Sequence, residues 1–230
     1  MRHCKECWHW VSPDLKSSCA DMTARKAGLF ITLEGGEGVG KSTSAAGLAA
    51  LLRADGHEVM LTREPGGTKG AEAIRQLLLE QTLPLIPMAQ TLLHFAARVD
   101  HVERSIRPAL AQGQIVICDR FYDSTLAYQA YGQGVAAADI QALIKLTDLT
   151  PDLTFLLELP QDQAVRRIAA RAGGMDRYEG MGQDFFARVS AGFDNIAAAA
   201  PERFARVDAS PPADEVTATL RRIVFERTGR

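Results

Sequence analysis

The chain has little of three features that would each have marked a particular class of protein. It contains only four cysteines, and only Cys118 lies outside the first nineteen residues. This distribution gives no disulfide framework and suits a reducing compartment. The formal net charge is -2, which leaves no basic bulk for holding nucleic acid or an anionic membrane. No apolar run approaches the roughly 20 residues of a membrane-spanning helix. We therefore expect a cytoplasmic protein that binds small molecules, without nucleic-acid or membrane partners.

The first 27 residues differ in pattern from the rest of the chain. They mix tryptophan, histidine, cysteine and charged residues without a helical or strand period, and they lack the apolar stretch of a signal peptide. We predict a disordered N-terminal extension over residues 1–27, with Met22 as a candidate start. Cys4-Lys5-Glu6-Cys7 is a lone CxxC without the second ligand pair that a zinc site usually needs, so we interpret it as incidental.

From residue 28 onward, apolar runs alternate with amphipathic stretches. Apolar runs without polar alternation are typical of strands buried on both faces of a parallel sheet. The pattern predicts strands at 29–33, 59–61, 115–118, 153–157 and 204–207, and helices at 42–54, 88–111, 138–147 and 214–226. It therefore predicts a single α/β domain over residues 28–230, in which a doubly wound five-stranded parallel sheet is flanked by helices.

A glycine-rich segment connects the first predicted strand to the first predicted helix. Residues 35–42 (GGEGVGKS) match the GxxxxGK[ST] phosphate-binding loop in the context that this motif requires. Glycines let backbone N–H groups turn toward phosphate oxygens, and the helix N-terminus adds a positive field. Lys41 is placed to reach the β- and γ-phosphates and Ser42 to hold Mg²⁺, which predicts a P-loop NTPase. The predicted nucleotide contacts are Gly35, Gly36, Glu37, Gly38, Val39, Gly40, Lys41, Ser42 and Thr43.

Glu37 is unusual within such a loop, because a carboxylate should repel a triphosphate. Its presence is explained if it points toward a neutral group that needs an acceptor, such as a sugar hydroxyl. The alternative is a solvent-facing residue at a permissive position.

Three arginines follow strands or lie on a flanking helix. Arg63 comes after the second predicted strand, Arg120 after the third, and Arg98 lies in the long helix. Ligands of open α/β sheets bind at the carboxyl ends of the strands, and converging guanidiniums suit a phosphate group. Each arginine alone would more often form a surface ion pair, but together they predict a site for a monophosphate acceptor. An aromatic ring beside Arg98 would be placed to stack on a base.

P-loop proteins include GTP-dependent switches, motors and small-molecule kinases. The sequence contains no NKxD or DxxG stretch, which weighs against a GTP-dependent switch. Two alternatives stay open at this point. One is a kinase that acts on a different small molecule, and the other is a nucleotide-dependent switch or binding protein without rapid turnover.

Three motifs together resemble those of thymidylate kinases. They are the stretches TREPGGT at residues 62–68, FAAR at 95–98 and DRFYDSTLAYQ at 119–129. The similarity extends from about Phe30 to near the C-terminus. It implies transfer of the γ-phosphoryl group of Mg-ATP to dTMP, giving dTDP and ADP in dTTP biosynthesis. It also implies a homodimer, for which the apolar long helix would supply the interface.

The resemblance implies roles around the transferred phosphoryl group. Lys41, Arg63 and Asp119 would be catalytic, and Asp119 would hold Mg²⁺ together with Ser42. The residues that would hold the dTMP phosphate are Arg63, Arg98 and Arg120.

It also implies roles around the nucleoside. Glu37 would accept a hydrogen bond from the sugar 3′-OH, and Phe95 would stack on the base. The family often has its aromatic residue four positions before the arginine, where this chain has His94, so the stacking ring stays open between the two. The residues that would contact thymine are Ser124, Thr125 and Gln129.

A basic and then glycine-rich stretch follows the fourth predicted strand. We interpret residues 171–182 as a mobile lid that closes over ATP, and the alternative is an exposed helix that ends at a Gly-Gly loop. The P-loop has Gly38 after Glu37, and family members without a P-loop arginine tend to carry a catalytic arginine in the lid. Arg171 and Arg177 are the two candidates.

Overall fold

The computed structural model describes residues 27–80, 84–170 and 181–230. Within these ranges, five strands form one parallel sheet in the order β2-β3-β1-β4-β5. The strands are β1 (Leu29–Glu34), β2 (Val59–Arg63), β3 (Ile115–Asp119), β4 (Leu153–Glu158) and β5 (Phe204–Asp208). The predicted α/β class and the five predicted strands are confirmed. Each strand runs one or two residues beyond its predicted end, through polar residues at its carboxyl end.

Helices cover both faces of the sheet. They are α1 (Lys41–Ala54), α2 (Lys69–Leu79), α3 (Pro87–His101), α4 (Arg107–Ala111), α5 (Tyr122–Thr125), α6 (Ala137–Thr147), α7 (Gln161–Ala170), α8 (Gln183–Ala199) and α9 (Ala213–Thr228). Two further segments, Val102–Ile106 and Leu126–Gly132, are π-helical.

Successive residues of the central strands pack into two separate cores. Phe30 belongs to the core that includes Phe121 and Phe193, whereas Ile31 belongs to the core that includes Leu48 and Leu220. Side chains alternate between the two faces of a strand, and both faces of this sheet are covered. This explains why the strands appear in the sequence as continuous apolar runs.

The long helix predicted over residues 88–111 is present but not uniform. It begins as α3, widens into the π-helical segment Val102–Ile106 and ends as α4. Pro108 explains the widening, because it has no N–H to donate to the carbonyl of residue 104 and its ring crowds that carbonyl.

The order of the strands brings the predicted site residues together. In the register of the sheet, Asp119 is the partner of Leu33 on β1 and of Arg63 on β2. The backbone N–H of Arg120 donates to Leu33 O at 2.9 Å, and that of Glu64 donates to Asp119 O at 3.0 Å. The P-loop and the segments after β2 and β3 therefore meet at one edge of the sheet, as expected for a doubly wound fold.

Some predictions concern residues outside the described ranges. The predicted N-terminal extension falls there apart from Ala27, and so does the predicted lid apart from Met181 and Gly182. The single-domain boundary at residue 28 stays a prediction. In the part of the chain that the structure describes, no helix has the length and apolar character needed to cross a membrane.

Candidate active site

The P-loop wraps around the end of the Lys41 side chain. Gly35 has a φ of 134°, and a Cβ there would lie 2.5 Å from Leu157 O, so only glycine fits at this position. The Lys41 ammonium donates to Gly35 O at 3.1 Å and to Gly36 O at 2.5 Å. Burial lowers the pKa of Lys41 to about 8, assisted by the positive charge of Arg120. The ammonium is thus a desolvated cation that phosphate oxygens would stabilise.

Ser42 and Asp119 form a possible cation site beside this lysine. The Ser42 hydroxyl donates to Asp119 Oδ2. The other carboxylate oxygen, Oδ1, is buried and has no hydrogen-bond partner among the described residues. A buried carboxylate oxygen without a donor is costly unless a cation or water serves it. A hydroxyl and a carboxylate are ligands that suit Mg²⁺, so the donor set fits the predicted metal.

Arg120 links the P-loop to the segment after β3. Its backbone has a φ of 70°, which is uncommon for a residue other than glycine. Its guanidinium pairs with Glu37 Oε1 at 2.5 Å and also donates to Ser124 Oγ at 2.9 Å. The Tyr128 hydroxyl donates to the same Glu37 oxygen at 2.9 Å. Glu37 therefore faces the segment after β3 instead of the interior of the phosphate loop, in agreement with the repulsion argument.

Arg98 is buried, and one of its donors has no partner. Its Nε donates to Glu64 Oε2 at 2.7 Å, and its Nη2 donates to Thr125 Oγ1 at 3.1 Å. The guanidinium lies over the rings of Phe95 and Phe121, with its carbon 4.6 and 5.3 Å from their centroids. Nη1 is buried without a hydrogen-bond partner among the described residues. An unpaired buried cationic donor is unfavourable, so a ligand oxygen that reached this atom would stabilise it.

These groups line one cavity of about 530 Å³. Its walls contain most of the predicted site residues, and Gly35, Gly36 and Val39 line a neighbouring cavity instead. Arg171 and Arg177 lie outside the described residues, so their predicted role stays a prediction. The predicted residues that line the first cavity are Glu37, Gly38, Gly40, Lys41, Ser42, Thr43, Arg63, Arg98, Asp119, Arg120, Ser124, Thr125 and Gln129.

The two rings that the sequence left as alternatives have different positions. Phe95 is 4% exposed and belongs to the core, and it is not part of the cavity wall. His94 lies in that wall. Burial, together with Arg98, Arg120 and Arg75, lowers the pKa of His94 to about 3, so its imidazole is neutral. The expectation that Phe95 stacks on the base is not supported by this placement, which favours His94.

Sequence reasoning missed several residues of the site. Glu34 is fully buried at the end of β1, where it accepts from Phe121 N at 2.7 Å and from Ser124 Oγ at 2.6 Å. Burial and the nearby Asp123 raise the pKa of Glu34 to about 7. The signal that could have found it is a carboxylate that ends an apolar strand. Glu34 itself does not line the cavity, whereas missed residues that do line it include Glu64, Pro65, Arg75, Tyr128 and Arg167.

Comparisons with known proteins point to one family. The sequence profile of the family described as thymidylate kinase matches residues 33–220. The chain is 56% identical to the thymidylate kinase of Gluconobacter oxydans over 203 residues, which are 86% of this chain and 95% of the relative. It is 47% identical to that of Caulobacter vibrioides over 205 residues, or 88% and 98% of the two chains. A crystal structure of thymidylate kinase from Ehrlichia chaffeensis matches with a TM-score of 0.71 at 33% identity, covering 86% of this chain and 99% of that one.

Proposed function

The chain belongs to the thymidylate kinase family, and we propose that its cavity transfers the γ-phosphoryl group of Mg-ATP to dTMP, giving dTDP and ADP. The observation that carries the proposal is that Arg98, whose buried Nη1 has no hydrogen-bond partner among the described residues, lines the same cavity as the P-loop lysine. A switch protein needs a nucleotide site, but it does not need a second buried cationic donor in the same cavity. This argues for an acceptor.

We assign the ATP phosphates to the P-loop side of the cavity. Lys41 would leave the carbonyls of Gly35 and Gly36 to contact the β- and γ-phosphates. Ser42 and Asp119 would hold Mg²⁺, which would neutralise charge on these phosphates. The attacking dTMP phosphate oxygen is already ionised, so the reaction needs no general base. The contribution of the protein is therefore positioning and positive charge.

The orientation of dTMP follows from the contacts of the arginines. Arg120 donates to Gly35 O of the P-loop and lowers the pKa of Lys41, so we assign Arg120 to the dTMP phosphate, together with Arg63, which the family resemblance assigns there. Arg98 donates to Thr125, one of the three residues that the family resemblance assigns to thymine, and unlike Arg120 it has its other contacts with Glu64, Phe95 and Phe121 and not with the P-loop. We therefore assign its free Nη1 to a thymine carbonyl oxygen, which revises the expectation that Arg98 holds the phosphate. His94 would stack on the base.

A coupled assay of ADP release tests the function directly. Purified protein is given ATP and Mg²⁺ with dTMP, dUMP, dCMP, dGMP, dAMP or no acceptor. We expect release to depend strongly on dTMP, with dUMP a poorer acceptor. Release that is the same with and without dTMP would contradict a kinase role, and preference for another nucleotide would identify a different acceptor.

The pH dependence of ATP binding should report on Lys41. Burial favours its neutral form, with a pKa of about 8, whereas bound phosphates favour the charged form. ATP binding should therefore take up a proton above pH 8, and affinity should fall by up to about tenfold per pH unit there. Calorimetry between pH 7.5 and 9.5, in buffers of different ionisation enthalpy, measures both effects. In Lys41→Arg the side chain stays charged, so the proton uptake should disappear. Equal uptake in both proteins would rule out Lys41 as its source.

We also propose a cytoplasmic homodimer that associates through α3. Leu92 and Val99 lie seven residues apart on this helix and are 50% and 43% exposed, and Leu146 on the adjoining α6 is 76% exposed. Residues seven apart lie on one helix face, so a second copy of the chain would cover an apolar stripe.

Light scattering of the purified protein should give twice the 25.0 kDa chain mass. Leu92→Glu combined with Val99→Glu should give the monomer mass, and an unchanged mass would place the interface elsewhere.

A further inference from the structure

A row of hydrogen-bonded side chains, formed by Thr62, His101 and Glu64, ends at Arg98. These three residues lie outside the predicted site. His101 is fully buried, three residues after Arg98 on α3. Its Nδ1 lies 3.1 Å from Glu64 Oε1, and its Nε2 lies 2.8 Å from Thr62 Oγ1. The other oxygen of Glu64 accepts from Arg98 Nε at 2.7 Å. The row therefore connects β2 to Arg98, whose Nη1 is buried without a hydrogen-bond partner among the described residues.

The chemistry of each group gives the row a direction. A carboxylate only accepts, so Glu64 receives hydrogen bonds from both Arg98 and His101. An imidazole that donates through Nδ1 has Nε2 left for Thr62, whose hydroxyl can either donate or accept there. Both oxygens of Glu64 and both ring nitrogens of His101 are then engaged. The Sγ of Cys118 lies within 4.8 Å of ligand atoms of this pair, but both Glu64 oxygens and both His101 nitrogens already take part in hydrogen bonds.

The turn after β2 is fitted around the imidazole. Gly67 has a φ of +87°, and a Cβ there would lie 2.2 Å from His101 Nε2 and 2.7 Å from Thr62 Oγ1. The backbone of the turn thus passes directly against the row, with no space for a side chain. The Thr68 hydroxyl also donates to Asp100 on α3. The imidazole of His101 is therefore confined by the backbone of the turn as well as by α3.

We propose that His101 is a positioning residue for the acceptor, because it fixes the Glu64 carboxylate and Glu64 fixes the guanidinium of Arg98. The inference rests on the proposed function. Without His101, Glu64 would keep its bond to Arg98 but lose the donor on its other side, and could rotate. The free Nη1 of Arg98 would then no longer be held toward dTMP. Binding of ATP, which contacts the P-loop, should not change.

The first test replaces the imidazole with an apolar side chain. His101→Leu should raise the KM for dTMP by about tenfold, the usual size for a lost bond to a charged group, and leave the KM for ATP unchanged. His101→Asn, whose amide can donate to Glu64, should recover most of the loss. Ile106→Ala removes fully buried volume from the same helical stretch and controls for lost stability. It should lower the melting temperature without changing the KM for dTMP. A similar KM in His101→Leu and wild type would overturn the inference.

A double-mutant cycle tests whether His101 acts through Arg98. In protein that already carries Arg98→Ala, His101→Leu should raise the KM for dTMP no further, because the group that it positions is absent. An additive tenfold effect would show that His101 acts by another route and would overturn the proposal.

The assay of wild-type protein shows whether a negative result contradicts the proposed function or only the role of His101. If wild type lacks dTMP-dependent turnover, both the function and this inference fall. If wild type depends on dTMP and the cycle is additive, only this inference falls.

Discussion

Lys41→Met is expected to lower kcat for ADP release in the presence of dTMP by about 1,000-fold. The methionine side chain has a similar length and fills the same space without the charge. Among the described residues, the ammonium is desolvated and donates to the carbonyls of Gly35 and Gly36. No carboxylate within the described ranges forms a salt bridge with it, so it is available when negative charge moves along the phosphates. Such a charge acts more strongly in a water-poor site than in bulk solvent.

The measurement is kcat at saturating ATP and dTMP, with circular dichroism to show that the variant is folded. Lys145→Met makes the same chemical change at an exposed position of α6 and should leave kcat unchanged. A loss smaller than tenfold in Lys41→Met would mean that other cations carry most of the transferred charge. It would also mean that Lys41 is not one of the catalytic residues.

The strands were predictable because both faces of the sheet are covered, but their polar ends were not. Glu34 ends β1 and Asp119 ends β3, and a charged residue after an apolar run normally indicates that the strand has ended. Glu34 stays in the strand because Phe121 N and the Ser124 hydroxyl donate to it. Those donors come from residues about ninety positions away, so no local pattern reveals them.

Helix α8 was missed although its sequence contains a helical signal. Phe185, Val189 and Phe193 recur at four-residue intervals and are buried, as in an amphipathic helix. Gly192 and the alanine-rich end weaken that pattern when it is seen alone. The structure explains the glycine, because a Cβ there would lie 2.8 Å from the ring of Tyr131. Gly192 allows α8 to pack closely against the π-helical segment Leu126–Gly132, and this glycine does not end the helix.

Motifs located the candidate site, but its internal contacts depend on tertiary structure. The carboxyl ends of neighbouring parallel strands must meet, so Arg63 and Asp119 could be placed together from the sequence. His94 and Phe95 are one position apart on a helix, a rotation of about 100°, and only the packing of α3 decides which ring faces the cavity. The pairing of Arg98 with Glu64 joins residues 34 positions apart and has no sequence signal of its own.

Arg98→Ala is expected to raise the dissociation constant for dTMP by about 100-fold, the usual scale for truncating a buried charged partner. The dissociation constant for ATP should change by no more than about threefold, because Arg98 contacts Glu64 and Thr125 and not the P-loop. Calorimetric titrations with each nucleotide measure the two affinities. Equal losses for dTMP and ATP would contradict an acceptor-specific role.

The substitution also leaves the Glu64 carboxylate buried without its main partner, at a cost in stability of about 3–5 kcal/mol. A variant that removes both charges, Arg98→Met with Glu64→Gln, separates this cost from the loss of binding. It should melt at a higher temperature than Arg98→Ala and still bind dTMP weakly. Recovery of dTMP binding in the double variant would mean that the free Nη1 makes no contact with the acceptor.

The same variants test which end of dTMP Arg98 contacts. Thymine has a carbonyl oxygen at position 4, whereas cytosine has an amino group there. A guanidinium donor facing that position favours dTMP and opposes dCMP, so wild type should bind dCMP about 100-fold more weakly than dTMP. In the neutral double variant the ratio should fall toward one, because dTMP loses a hydrogen bond and dCMP loses an opposing donor. If Arg98 instead held the phosphate, or the carbonyl at position 2 that both bases carry, both nucleotides would weaken together and their ratio would stay constant. A falling dTMP-to-dCMP ratio therefore identifies a contact with position 4 of the base, even in a variant that binds both nucleotides poorly.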